Sequence, residues 1–353
     1  MALQMKDVAR RAGVSVTTVS HVMNKTRFVS PQTRQRVLEV IRELNYHKDA
    51  HARRLAVGRS DFFGLIVSDI ENPFFPEIVK SFESAALEAG FDLLLCNTNY
   101  DPKRIKGAVH KMIENKVRGV AIMTSELATE LAEELTANQV AVVFLDLGRV
   151  GHYKSNVRVN YSVGIYQAIE HLLDLGHTDI GFIAGPPTLR SSVIRREAFV
   201  NALSRRGLPA HRMLEGNHKV DGGIAAAGNL LAHGPLPSAL LCSNDLTAIG
   251  VMSALHEAGL RVPEDISVIG FDDIEFARIA YPPLTTVNLS RDQVGRLAFQ
   301  ALQNILKNKK RLGAEYVVET QLVIRKSTAR APEHRAPARV TRVQDVPQPP
   351  TVP

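Results

Sequence analysis

The 353-residue chain has no tryptophan, only two cysteines, and no apolar run approaching the roughly eighteen residues of a membrane helix. Cys96 and Cys242 sit in the runs LLLCN and ALLCS, with no CxxC and no histidine at ligand spacing. A disulfide framework and a structural zinc site are thereby excluded, and both residues are expected as buried free thiols in a reducing cytoplasm. GxGxxG, GxxxxGK[ST], GxSxG and HExxH are all missing, and His256-Glu257 lacks the second histidine of a zinc helix. Asp272-Asp273 are adjacent and so project differently, which suits paired acid-base work poorly. No catalysis, cofactor or metal is expected. The N-terminus has neither the apolar segment nor the small-residue cleavage site of a signal peptide, so the expected location is the cytoplasm, away from any membrane.

What is present begins with Met5 to Arg27, MKDVARRAGVSVTTVSHVMNKTR. Val8, Ala9 and Ala12 share one side of a helix, and Gly13-Val14-Ser15 breaks the pattern with a residue tolerant of positive φ. Ser15 can cap a second helix, Val16 to about Asn24, whose apolar stripe is Val19, Val22 and Met23. Val16, Thr17, Ser20 and His21 then face outward. Thr17 and His21 lie one turn apart, so both can reach base edges in a major groove. An ordinary solvated helix face would look much the same. Ser30-Pro31 opens a third helix to Leu44, with Val37, Val40, Ile41 and Leu44 inward.

Charge sharpens the assignment. Residues 1–60 hold twelve Lys/Arg against four Asp/Glu, a net of +8, while the whole chain is +7 and the span 61–328 is −3. Basicity confined to one end is the electrostatic footprint of a polyanion. The segment that follows, AHARRLAVGRS, is too short to form a helix without packing partners.

From Phe63 onward short apolar runs alternate with helical stretches. FGLIV, DLLLC, GVAIM, AVVFLD, VRV, DIGFIAG, SALLC and SVIGF read as buried parallel strands, and the intervening segments as helices. A last helix from Arg291 to Leu306 and a strand Gln321 to Ile324 follow a Pro-rich break at Tyr281 to Leu284. Ligands of such sheets bind beyond the carboxyl ends of the strands. Asn72, Phe74 and Phe75 (NPFF), Asp146, Ser191, Arg195, Asn244 and Asp272 all fall there. Two phenylalanines could wall a sugar ring or simply staple the core. Asn244 could equally be a helix cap. Together the set places acceptors and one fixed bidentate donor where vicinal hydroxyls could be held.

MKDVARRAGVSVTTVSHVMNKTRFVS resembles the DNA-binding headpiece of the lac-repressor family, with TTVSHV-NKTRFV most similar to purine and ribose repressors. The likeness continues through NYHKDAHARRLAVGRSDFFGLIV to about Lys326, and the large domain resembles periplasmic sugar-binding proteins. It implies operator contacts by Val16, Thr17, Thr18, Ser20, His21, Asn24 and Arg27. It implies a hinge helix in which Arg54, Leu55 and Ala56 meet the minor groove, Leu55 as the wedge. It also implies that Asn72, Phe74, Phe75, Asp146, Ser191, Arg195, His218, Asn244 and Asp272 contact an effector. His218 replaces a common aromatic wall, Leu147 an arginine of ribose binders, and Leu289 a glutamine, so ribose and purine are not carried over.

The expected fold class is α/β: an all-α helix-turn-helix headpiece (1–48) with a hinge helix (49–60), then a two-lobed periplasmic-binding-protein-like domain of doubly wound parallel sheets (61–328). Residues 329–353, rich in Pro, Arg and Val and free of leucine, are expected to be disordered and to leave a homodimer rather than a tetramer. The expected function is a repressor that binds a palindromic operator in double-stranded DNA under control of a small effector, a sugar or related metabolite. A small-molecule-binding module with only non-specific nucleic-acid affinity is the alternative.

Overall fold

The computed structural model describes residues 3–24, 26–46, 60–124, 127, 129–146 and 150–332. The contacts divide the chain into two compact units, Met1–Ser60 and Asp61–Pro353.

In the first unit α1 (Met5–Ala12), α2 (Val16–Asn24) and α3 (Pro31–Glu43) share a core of Val8, Ala9, Ala12, Val19, Val22, Val37, Val40 and Tyr46. Each boundary has a local cause. Gln4 and Asp7 form a reciprocal capping box, and Gly13 ends α1 at φ +61°. Ser15 Oγ accepts from the Thr18 amide at 3.1 Å, and Ser30 caps α3 with Pro31 at the first helical position. Tyr46, which the periodicity of α3 could not include, closes the core from beyond the helix.

The second unit repeats one strand order twice. β1 (Phe62–Val67) to β5 (Lys154–Asn160) run 2-1-3-4-5, with β2 at Asp92–Asn97, β3 at Gly119–Met123 and β4 at Ala141–Leu145. β6 (Ile180–Ala184) to β10 (Thr285–Leu289) repeat it as 7-6-8-9-10, with β7 at Met213–Glu215, β8 at Ala239–Cys242 and β9 at Ser267–Asp272. Each half is therefore a doubly wound parallel sheet. β11 (Glu315–Val323) belongs to both: Glu315–Glu319 pair parallel with Asn156–Asn160, and Thr320–Val323 pair antiparallel with Thr286–Leu289. The sheets thus form one continuous eleven-stranded surface.

Helices α4 (Phe74–Glu88), α5 (Pro102–Glu114) and α6 (Thr129–Ala137) serve the first lobe. The second lobe carries α7 (Tyr161–Asp174), α8 (Arg190–Ser204), α9 (Val220–Ala232), α10 (Asp245–Glu257) and α11 (Glu275–Ile279). α12 (Arg291–Lys307) returns to the first lobe and packs on α4 so closely that a Cβ at Gly295 would lie 2.6 Å from the Ile78 carbonyl oxygen.

Three expectations need correction, and two strands, β7 and β10, answer to no expected strand. The strand expected at Gln321–Ile324 is the second half of β11. β10 lies immediately beyond the Pro-rich break, because Thr285 and Thr286 are fully buried there and hydrogen-bonded to Ser327, Thr328 and Asp245. Cys242 is buried but Cys96 is only half-buried, since β2 is the sheet's edge strand. The ordered chain also runs past Thr328: the Ala329 amide donates to Ser267 Oγ at 3.1 Å and the Ala331 amide to the Leu175 carbonyl at 2.8 Å. The hinge residues Arg54, Leu55 and Ala56, together with Leu147 and residues 333–353, lie outside the described residues. No described helix is long and apolar enough to cross a membrane.

Candidate functional site

On the first unit, α2 turns Val16, Thr17 and Asn24 outward, with Thr18, Ser20 and His21 half-buried beside them and Arg27 exposed in the following loop. His21 is not a free-swinging side chain, because its Nδ1 lies 2.8 Å from Thr26 Oγ1. Asn24 Nδ2 donates to Ser20 Oγ at 3.1 Å, and the Thr18 hydroxyl is engaged with Ser15 in the cap, leaving Thr17 the least constrained of the row. Phe28 is 90% exposed beside Arg27, an outward aromatic that periodicity alone does not single out.

In the second unit Asn72, Phe74, Phe75, Asp146, Ser191, Arg195, His218, Asn244 and Asp272 line one cavity of about 70 Å³, at the carboxyl ends of strands from both lobes. Ser68, Tyr100, Met123, Thr124, Leu145, Tyr161 and Leu189 complete it. The volume falls well under the few hundred Å³ of a drug-sized ligand site.

The walls are built locally. Asn72 Oδ1 accepts from the Phe74 amide at 3.0 Å and so starts α4, whose first turn sets Phe74 and Phe75 edge to face, 5.2 Å between centroids. Asn244 caps α10 by accepting from the Thr247 amide at 3.0 Å, while its Nδ2 donates to the His218 carbonyl at 2.9 Å. The cap alternative therefore holds for its Oδ1 even though it lines the cavity.

Arg195 is the centre of the second wall. It is 5% exposed, donates from Nη2 to Asp272 Oδ1 at 3.1 Å and from Nη1 to the Ser243 carbonyl, and lies 4.1 Å from the Phe271 ring centroid and 4.9 Å from that of Tyr161. Its Nε has no partner. Burial pushes the Asp272 carboxyl above the usual carboxylate range despite the neighbouring Arg195 and Arg291. Across the cleft Asp146 sits at φ +60°, accepting from the Val159 amide at 2.7 Å and the Tyr161 hydroxyl at 2.6 Å; burial raises its carboxyl too. His218 is pushed down to about 3 by burial and then by Arg195, so its ring is neutral at physiological pH. That ring packs where a Cβ at Gly185 would fall, 1.9 Å from Nε2, and Ser192 Oγ is 3.3 Å from the same nitrogen.

A family profile described as bacterial regulatory proteins of the lacI family matches residues 4–49, and one described as a periplasmic binding protein-like domain matches residues 169–328. The HTH-type transcriptional repressor PurR of Pasteurella multocida is 39% identical over 327 residues, 92% of this chain and 98% of the relative. The chain belongs to the lacI family. Another lacI-family relative, PurR of Haemophilus influenzae, is 39% identical over 330 residues, 92% of this chain and 98% of its own. Among solved structures, the lac repressor dimer bound to operator and the anti-inducer ONPF matches with TM-score 0.84 at 30% identity, covering 93% of this chain and all of that one. A CelR–cellobiose complex matches with TM-score 0.70 at 29% identity, over 92% and 99% of the two chains.

For this lacI-family chain, the resemblance passed over Tyr161, Thr124 and Gly185. Tyr161 carries a usable signal, being an aromatic directly after the strand KSNVRVN, where strand-end logic applies as it does to Asp146. Thr124 likewise follows GVAIM. Gly185 carries none, because its role is to leave room for a histidine thirty-three residues later.

Proposed function

We propose that this chain is a dimeric transcriptional repressor that binds a palindromic DNA operator and is switched by a small metabolite in the cleft between its lobes. The observation that carries the proposal is the convergence of nine strand-end residues, drawn from both lobes, on one cavity in a chain that also has a helix-turn-helix unit. Phosphate contacts supply affinity, and Thr17 and His21 supply base choice. The hinge residues Arg54, Leu55 and Ala56 bind the minor groove, and the protein resides on the chromosome. The effector acts only through its differential affinity for two lobe arrangements.

Competition binding against random duplex tests the proposal. A repressor discriminates its operator by at least ~10³ at physiological salt, whereas equal affinity for both duplexes favours the non-specific binding module. A thermal-shift panel of aldoses, polyols, nucleosides and purines tests the cleft, since a ligand of the folded state raises its stability with concentration.

A further inference from the structure

We infer that the second lobe carries a further small-molecule site, separate from the cleft, which takes a small zwitterion with an apolar body: a free amino acid or a dipeptide. The site stands or falls independently of the reading of the cleft and of the DNA surface.

A cavity of about 450 Å³ is lined by α8, by the end of β6 and by Glu215 at the end of the edge strand β7. That volume lies within the roughly 300–1,000 Å³ of small-molecule sites. Every residue lining it belongs to the second lobe, and none also lines the cleft. Its helical wall is a single stripe of α8: Val193, Arg196, Glu197, Val200 and Asn201 recur at the three- and four-residue spacing of one helix face. The opposite side of α8 already fills the core, with Ala198, Phe199, Ala202 and Leu203. Val193 is nonetheless apolar and 39% exposed, with Val200 half-buried beside it, so the stripe offers an apolar floor to the cavity rather than to the protein interior.

Charges of both signs border that floor: Arg196 and Glu197 on the stripe, and Glu215 across from them on β7. All three are exposed, and none forms an ion pair or a side-chain hydrogen bond among the described residues. Neighbouring arginines are spent internally, Arg195 on Asp272, Arg206 on Glu170 and Arg212 on Asp179. A guanidinium presents a planar fork of donors that matches a carboxylate, and carboxylates accept from an ammonium group. A simple anion here meets the two glutamates and a simple cation meets the arginine, whereas a molecule bearing both charges finds an opposite for each. Its apolar body covers Val193 and Val200. Because the charged groups are open to water, each contact contributes little, and the affinity expected is about 0.1–1 mM.

Calorimetric titration of the full chain with L-leucine, L-phenylalanine and leucyl-leucine tests the site and separates the free amino acid from the dipeptide. L-leucinol, which lacks the carboxylate, and isocaproate, which lacks the ammonium group, are the controls. At least one zwitterion should bind, and both controls should bind about fivefold more weakly or worse. Arg196→Gln and Glu215→Gln should each weaken the zwitterion about fivefold and melt like the parent chain, since both side chains are exposed. Asp146→Asn, a change in the cleft, should leave zwitterion binding as it is. If no zwitterion binds at about 10 mM, there is no such site. Controls that bind as tightly as leucine overturn the zwitterion assignment, and binding that is lost in Asp146→Asn but kept in Arg196→Gln places the ligand in the cleft and overturns the separate site.

Discussion

Arg291 donates from Nε to Glu77 Oε2 at 2.7 Å, and its two terminal nitrogens bind the carbonyls of Asp272 and Asp273. Glu77 lies on α4 of the first lobe and Asp272 ends β9 of the second, so one side chain, 8% exposed, fastens the two walls of the cleft. Arg291→Gln should therefore lower both stability and ligand affinity without touching the cavity. With charge-assisted bonds to buried carbonyls lost, about 2–3 kcal/mol is expected, read by calorimetry as a fall in Tm. Arg291→Lys should recover part of each. Unchanged ligand affinity in Arg291→Gln would mean that lobe closure does not run through this residue.

His218 makes a pH prediction with a definite sign. Its folded value is about 3 and the ordinary histidine value is 6.5, so the unfolded chain binds the proton more readily. The stability that neutral His218 contributes is fully present above 6.5 and is lost progressively as pH falls toward 3. His218→Gln should flatten the Tm-against-pH curve within this window. Asp146, Asp245 and Asp272, all raised by burial, act in the opposite sense: their contribution is present at low pH and lost as pH rises through the folded values. They titrate in parent and variant alike, so the difference between the two curves isolates the histidine.

Gly185→Ala would set a methyl group 1.9 Å from His218 Nε2, and the ring must leave its place against Ser192. The expected outcome is loss of cleft binding with operator affinity in the absence of effector retained. Chemical-shift changes of the His218 ring would report the displacement directly.

The DNA surface yields a pair of contrasting outcomes. His21→Ala should reduce the discrimination of operator over random duplex by about 1–3 kcal/mol. Arg54→Ala should weaken both duplexes equally and lower the salt slope by about 1. Identical behaviour of the two variants on both duplexes would show that His21 reads no base.

The three-helix core was legible because each helix carries its own start signal and a 3.6-residue stripe; only Tyr46, beyond the last stripe, escaped. Eight parallel strands were legible as apolar runs, whereas β7, only Met213–Glu215, carries no such run; strand-end logic singled out Asp146, Arg195 and Asp272, which line one cavity. β10 and the first half of β11 were not, because Thr285, Thr286 and Asn288 are polar, and the burial of β11 alternates along its length. Their apolar signal is weak, and their place in the sheet is fixed by hydrogen bonds to residues distant in sequence. Tyr161 and Gly185 belong to the same class: what they do depends on Asp146 and His218, partners that no local pattern brings near.

β11 changes allegiance between Glu319, which is in register with Asn160, and Thr320, which is in register with Leu289. At that single peptide the backbone ladder passes from one half of the sheet to the other. Any turning of one half against its twin must be accommodated at this peptide and at the two other crossings, Asn160–Tyr161 and Leu289–Arg291.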